Sequence, residues 1–175
     1  MKTKSTTNLG VSGAKCFGSD GLITQVNKVP DGFKGLITIF IGVNDAGGSV
    51  TVGNVNEVIA KNFADLNADA SFAEAFRLCL ETLSRKAPDA IVLVIPALKT
   101  AQVAVEGRLE NYRQAQRDIC EYYAIPYADI YKTCKISKFT FTPLTTDGLH
   151  PSEAGHAEIA RVLLPKIKEI LPIEQ

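Results

Sequence analysis

Continuous apolar runs alternate along the chain with segments whose apolar residues recur every three or four positions. The clearest runs, at residues 36–41 and 90–95, are rich in β-branched side chains and apolar at successive positions. Such runs are typical of central strands in a parallel sheet that helices cover on both faces. Weaker runs at residues 125–131 and 6–11 predict two more strands, which gives four in all.

Helical periodicity fills the intervals between these runs. Ser71 is a candidate N-cap for a helix that ends before Pro88, and further helices are expected at residues 106–123 and 152–171, the last with a kink at Pro165. Residues 54–66 predict a fourth helix. The apolar stripe of the first of these helices consists of Phe72, Phe76, Cys79, Leu80 and Leu83.

The alternation of strands and helices indicates an α/β fold, an open parallel sheet with helices on both faces. A chain of 175 residues, 46% hydrophobic and 22% charged, has the size and composition of a single globular domain spanning residues 1–175. Ligands of such sheets bind beyond the carboxyl ends of the strands. We therefore expect the functional residues directly after the strands.

Charge and cysteine content narrow the function classes. Nineteen Lys and Arg balance nineteen Asp and Glu, and no basic run is present, which argues against nucleic acid and anionic membrane as partners. No apolar run approaches the roughly 20 residues that span a bilayer, and no secretory signal can be recognised, so a cytoplasmic location is the default expectation. The four cysteines are too dispersed for a zinc site, and we expect neither metal nor cofactor.

Three short blocks carry candidate chemistry. The turn at residues 8–14 contains Gly13, and Asn44 follows the strongest strand, where its amide can donate hydrogen bonds. In the third block, Asp147 precedes His150 by three residues, a spacing that lets a carboxylate orient a histidine as a general base. Each block taken alone is equally compatible with an ordinary turn or a helix cap.

The order and spacing of these blocks resemble the SGNH, or GDSL-type, hydrolase family, whose blocks run Gly-Asp-Ser, a glycine turn, Gly-x-Asn-Asp and Asp-x-x-His. The resemblance covers residues 8–171 and is most specific at residues 147–151. It implies a flavodoxin-like three-layer α/β/α fold. It also implies that Gly13 and Asn44 donate hydrogen bonds to an oxyanion, that His150 is the base, and that Asp147 is its partner.

The Gly-Asp-Ser block of the family has no counterpart in this sequence. Only twelve residues precede Gly13, fewer than the nucleophile's strand, turn and helix require. Ser12 and Ser19 are poor substitutes, because Ser12 lies on the glycine turn and Ser19 follows it without a strand to present it. Either the chain is a truncated form of an active enzyme, which the position of Met1 favours, or it is a natural remnant that binds without cleaving.

The family resemblance implies hydrolysis of small carboxylic esters or acetylated sugars by a Ser-His-Asp mechanism, impaired here without the serine. The alternative is a noncatalytic carbohydrate- or acyl-binding module. A flavodoxin-like nucleotide binder is disfavoured, because no phosphate-binding glycine loop is present. The absent first central strand should leave one edge of the strand at residues 36–41 free, so we expect the N-terminal strand to shift inward or a second copy to share a strand.

Three further residues or segments have competing interpretations. His156 is expected on the surface of the last helix instead of at a metal, and Asp45 is expected to brace its own turn. Residues 139–143 form either a wall of the substrate crevice or the edge of a strand.

Overall fold

The computed structural model describes residues 5–171, and within them helices alternate with a small parallel sheet. Its two strands are β1 (Leu36–Ile41) and β2 (Ile91–Pro96). The helices are α1 (Leu22–Val26), α2 (Val43–Gly47), α3 (Val55–Ala60), α4 (Phe72–Lys86), α5 (Val103–Tyr122), α6 (Phe141–Leu144) and α7 (Glu153–Ile170), with a 3₁₀ turn at Phe63–Asp65.

The two strongest strand predictions are confirmed. β1 has the predicted bounds, and β2 lies one residue later than predicted. They pair in parallel from Leu36 opposite Ile91 to Ile41 opposite Pro96. The carboxyl ends of both strands therefore lie at the same edge of the sheet.

The other two strand predictions are wrong. At residues 125–131 the pairing is reduced to a single bridge, Val94 with Tyr127, beside Pro126, which has no N–H to donate. The segment at residues 6–11 is turned on itself: the Asn8 side chain accepts a hydrogen bond from the Gly10 N–H at 2.9 Å. In the part of the chain that the structure describes, β1 consequently pairs with β2 alone.

The predicted inward shift of the N-terminal strand is therefore also wrong. A cavity of about 480 Å³ lies between residues 5–10 and β1. Phe40 on β1 remains 48% exposed, although its sequence context is that of a fully covered strand. The free edge that the sequence predicted for this strand is thus present among residues 5–171.

The predicted stripe of α4 is confirmed as core. Phe72, Phe76 and Cys79 are fully buried, and Leu80 and Leu83 are each 1% exposed. The Ser71 side chain accepts a hydrogen bond from the Glu74 N–H at 3.2 Å and so caps the helix as predicted.

The helix predicted at residues 54–66 is interrupted. Asn54 caps α3, but the helix ends at Ala60 and a separate 3₁₀ turn follows. The cause is a side chain from α4: the buried Arg77 guanidinium donates to the carbonyls of Val58 and Lys61, which satisfies the last turn of α3 from outside.

α5 falls within three residues of its predicted bounds and α7 within one, and α7 continues through Pro165. The core forms two clusters on opposite faces of the sheet. Ile39 and Ile41 pack with α1, α4 and α5, whereas Leu93 and Ile95 pack with α7. This is the three-layer α/β/α arrangement that was predicted. No helix among residues 5–171 is long and apolar enough to cross a membrane.

Candidate active site

Asn44 lies just beyond the carboxyl end of β1. Gly42 allows the sharp change from strand to helix, because its φ of +118° is a value that side-chain-bearing residues rarely adopt. The Asn44 side chain then donates one N–H from Nδ2 to the Ala14 carbonyl at 2.9 Å. A carboxamide has two N–H donors, so one remains for another acceptor.

Gly13 occupies the third position of a tight turn. The Ala14 N–H donates to the Val11 carbonyl at 3.1 Å, and Gly13 has a φ of +75°, as a type II turn requires at that position. Within residues 5–171 the Gly13 N–H has no hydrogen-bond acceptor. Because the Asn44 side chain is bonded to Ala14, the residue after Gly13, α2 is joined directly to the turn that carries Gly13.

Asp45 braces a different turn from the one expected. It is fully buried, and its two oxygens accept hydrogen bonds from the backbone N–H groups of Cys16 at 2.9 Å and Phe17 at 3.0 Å. The loop after the glycine turn is thus tied to α2. Burial raises the pKa of the Asp45 carboxyl, with the two hydrogen bonds opposing the shift.

Asp147 and His150 meet across a short loop. Asp147 Oδ2 lies 2.7 Å from His150 Nδ1, and Asp147 Oδ1 accepts from the N–H groups of His150 at 2.7 Å and Leu149 at 3.0 Å. The backbone bond from His150, followed by the bond from its side chain, lowers the pKa of Asp147 to about 2. Because the carboxylate is hydrogen bonded to Nδ1, Nε2 is the ring nitrogen that can act as a base. The His150 side chain is 71% exposed, so it is open to solvent.

Asn44 and the loop of Asp147 and His150 lie at the same edge of the sheet. Asn44 follows β1, and the loop of His150 contacts the segment after β2, where the Ala101 N–H donates to the Gly148 carbonyl at 2.8 Å. This contact was not predicted, since Ala101 belongs to no recognisable motif.

Within residues 5–171, no hydroxyl is hydrogen bonded to the imidazole of His150, whose partner is Asp147. Ser12 is exposed on the glycine turn, and the Ser19 N–H is bound to Asp69 at 2.9 Å. Neither serine contacts the imidazole in the manner of a catalytic nucleophile.

The remaining candidates lie away from these two pairs. His156 is exposed on α7 as predicted, with Nδ1 2.9 Å from the Ser152 carbonyl. No cluster of His, Cys, Asp and Glu within residues 5–171 has the arrangement of a metal site. The segment at residues 139–143 is not a strand: Phe139 lies in a turn with 84% exposure, and α6 begins at Phe141.

Comparison with solved structures identifies the class of fold. A protein from Lactobacillus plantarum is 23% identical with a TM-score of 0.80, and the match covers 94% of this chain and 81% of that one. A lipase/acylhydrolase from Enterococcus faecalis is 21% identical with a TM-score of 0.60 over 93% and 75% of the two chains. Phospholipase A1 from Streptomyces albidoflavus is 19% identical with a TM-score of 0.59 over 89% and 77%. At these identities the likeness establishes a shared fold.

The family follows from the sequence itself. The profile of the GDSL-like Lipase/Acylhydrolase family matches residues 2–158, which is most of the chain. The chain therefore belongs to this family, as its motifs predicted. No curated protein matches it.

Proposed function

We propose that the site is that of an acyl-ester hydrolase, in which His150 is the general base, Asp147 orients it, and Gly13 and Asn44 bind the oxyanion. The observation that carries the proposal is the 2.7 Å contact between His150 and Asp147, with the imidazole open to solvent at the edge of the sheet that also holds Asn44. Membership of the GDSL-like family supports the same chemistry.

The chemical steps follow from these groups. The imidazole takes the proton of a serine hydroxyl as it attacks the ester carbonyl, and Asp147 stabilises the imidazolium that forms. The negative oxygen of the tetrahedral intermediate accepts hydrogen bonds from the free Gly13 N–H and from the second N–H of Asn44 Nδ2. Removal of one such donor typically slows acyl transfer about 100- to 1,000-fold.

We propose that the 175-residue chain turns over esters poorly, because it supplies the base and the oxyanion donors without the Gly-Asp-Ser serine. Oxyanion donors and binding alone leave a residual acceleration of roughly 10³ to 10⁴ over water in related sites. A second candidate function is a noncatalytic carbohydrate- or acyl-binding module. It is favoured by the imidazole of His150, to which no hydroxyl of residues 5–171 is hydrogen bonded.

The substrate we propose is a small acyl ester or an acetylated sugar. A second cavity, of about 390 Å³, has Ser12 and Gly13 in its wall together with polar side chains such as Asp20 and Gln25. Groups of this kind can hydrogen bond to the hydroxyls of a sugar or a polyol.

A decisive experiment is hydrolysis of a short p-nitrophenyl ester by this chain and by a version with a Gly-Asp-Ser strand added ahead of residue 1. The hydrolase proposal predicts turnover in the extended version that His150→Ala abolishes and Asn44→Ala lowers. Binding of the ester without turnover in either version supports the binding module. If the 175-residue chain is as active as the extended version, the proposal that it turns over esters poorly is contradicted, and Ser12 is the next residue to replace.

We also propose that the free edge of β1 pairs with a strand of a second copy, an arrangement supported by the adjoining cavity and the exposure of Phe40. Light scattering tests this directly. A dimer that Phe40→Lys dissociates supports strand sharing, and a strictly monomeric chain rules it out.

A further inference from the structure

The loop that carries Asp147 and His150 is held by two neighbouring residues of the segment after β2. The Gly148 carbonyl accepts hydrogen bonds from the Ala101 N–H at 2.8 Å and from Thr100 Oγ1 at 3.1 Å. Gly148 adopts a φ of +82°, and a Cβ at this position would lie 2.5 Å from the Ala101 Cβ. The two segments therefore meet at a distance that only glycine permits.

Thr100 presents its hydroxyl in one fixed direction. The residue is 4% exposed, and Oγ1 accepts the Gln102 N–H at 3.1 Å, which leaves its own proton for Gly148. The Thr100 backbone N–H donates to Glu106 Oε2 at 2.8 Å. Thr100 is thus fixed through both its backbone and its side chain.

A buried arginine supports this arrangement from α5. Arg113 is 1% exposed and donates to the carbonyls of Ala97 at 2.8 Å and Leu98 at 3.0 Å. Its guanidinium also lies 3.5 Å from Glu106 Oε1 and 3.7 Å from the centre of the Tyr131 ring. Because Arg113 is itself almost fully buried, its bonds hold the backbone of Ala97 and Leu98, directly before Thr100, in place.

We propose that Thr100 is a positioning residue, whose hydroxyl holds the Gly148 carbonyl so that Asp147 and His150 keep their paired geometry. The assignment of a catalytic purpose to this pairing rests on the proposed function, whereas the positioning itself does not. The peptide that Thr100 holds lies between Asp147 and the N–H groups that bind it. Displacement of Gly148 therefore separates Asp147 Oδ1 from the N–H groups of Leu149 and His150.

The first measurement uses ¹³C NMR to titrate the Asp147 carboxyl in the intact chain, with no substrate present. Thr100→Val keeps the shape of the side chain and removes its hydroxyl, and Thr100→Ser restores the hydroxyl. The control is Thr82→Val, which removes the bond from Thr82 Oγ1 to the Leu78 carbonyl at 2.7 Å within α4, distant from the loop along the chain.

In the unaltered chain, Thr100→Ser and Thr82→Val, the pKa of Asp147 should stay at about 2. In Thr100→Val it should rise to about 3 or above, towards the ordinary aspartate value near 3.9. An unchanged pKa in Thr100→Val overturns the proposal. So does an equal rise in Thr82→Val, since the effect would then reflect general loosening of the fold.

A second measurement separates this proposal from the proposed function. In an ester-hydrolysing version of the chain, Thr100→Val should lower kcat with KM unchanged, and Thr100→Ser should restore kcat. If no version hydrolyses esters, the titration still decides whether Thr100 positions the pair. If the Asp147 pKa rises in Thr100→Val but no version of the chain hydrolyses esters, Thr100 still positions the pair, and the pair has no catalytic role.

Discussion

Replacement of Asp45 by alanine should destabilise the whole domain, because this carboxylate joins two distant parts of the chain. Its oxygens accept hydrogen bonds from Cys16 at 2.9 Å and Phe17 at 3.0 Å in a site with no solvent exposure. Alanine leaves both N–H groups buried without a partner. Each such loss costs about 1 to 3 kcal/mol, and relief of the buried charge offsets part of it, so we expect roughly 2 to 4 kcal/mol in all.

The expected change is large enough for a simple thermal assay. In a domain of this size, 1 kcal/mol shifts Tm by about 2 to 4 °C, so Asp45→Ala should lower Tm by roughly 4 to 16 °C. The matched control is Asp69→Ala. Asp69 also accepts a backbone N–H, from Ser19 at 2.9 Å, but it is exposed. That variant should change the free energy of unfolding by less than about 0.5 kcal/mol.

The pH dependence of the Asp45→Ala effect has a definite sign. Burial raises the pKa of Asp45 in the folded protein above its ordinary value of 3.8. The folded state therefore binds this proton more tightly than the unfolded state, and the resulting stability is present in acid and lost as pH rises through the folded pKa. Asp45→Ala should consequently destabilise more at pH 4 than at pH 7. A Tm loss no larger than that of Asp69→Ala, or one that grows with pH, refutes this reasoning.

Three further predictions concern other parts of the fold. Arg161 and the Lys135 N–H lower the pKa of Glu158 to about 2. The stability that these two contacts give the folded protein is present above the ordinary pKa of 4.5 and is lost as pH falls towards 2. Glu158→Gln should therefore lower Tm at pH 7 and have little effect at pH 2, and a difference that persists at pH 2 contradicts the assignment. Leu80→Ala in the α4 core should cost about 2 to 5 kcal/mol in urea unfolding, and a loss below about 1 kcal/mol would show that this core is poorly packed. Gly53 has a φ of +87° and its Cβ would collide with the Ser71 hydroxyl, so Gly53→Ala should destabilise by about 1 to 3 kcal/mol. Gly107→Ala, at an open position of α5, should stabilise by about 0.5 to 1 kcal/mol, and equal effects of the two alanines would contradict the account of Gly53.

Elements with a strong local pattern were predictable from the sequence. β1 and β2 are continuous apolar runs, α4 has a helical apolar stripe, and Ser71 caps α4 through a neighbour three residues away. Where a distant side chain decides the structure, local pattern fails. α3 ends early because Arg77, from α4, binds its last carbonyls.

The same distinction applies to the site. Asp147 and His150 are three residues apart, so their pairing follows from local spacing. The bonds from Asp45 to Cys16 and from Thr100 to Gly148 span 29 and 48 residues, and no sequence motif encodes them. Family resemblance supplied the proposed roles of Gly13 and Asn44, whereas the structure supplied the bond that joins Asn44 to the turn of Gly13.

The central claim is that Gly13 and Asn44 form one anion-binding site beside His150. The direct test is an ¹H–¹⁵N NMR titration of the chain with a short alkyl phosphonate, a tetrahedral anion that resembles the intermediate of ester hydrolysis. The account predicts saturable shifts of the Gly13 backbone amide and the Asn44 side-chain amide, and weaker binding in Asn44→Ala. Unperturbed Gly13 and Asn44 signals, or equal binding by Asn44→Ala, would contradict it.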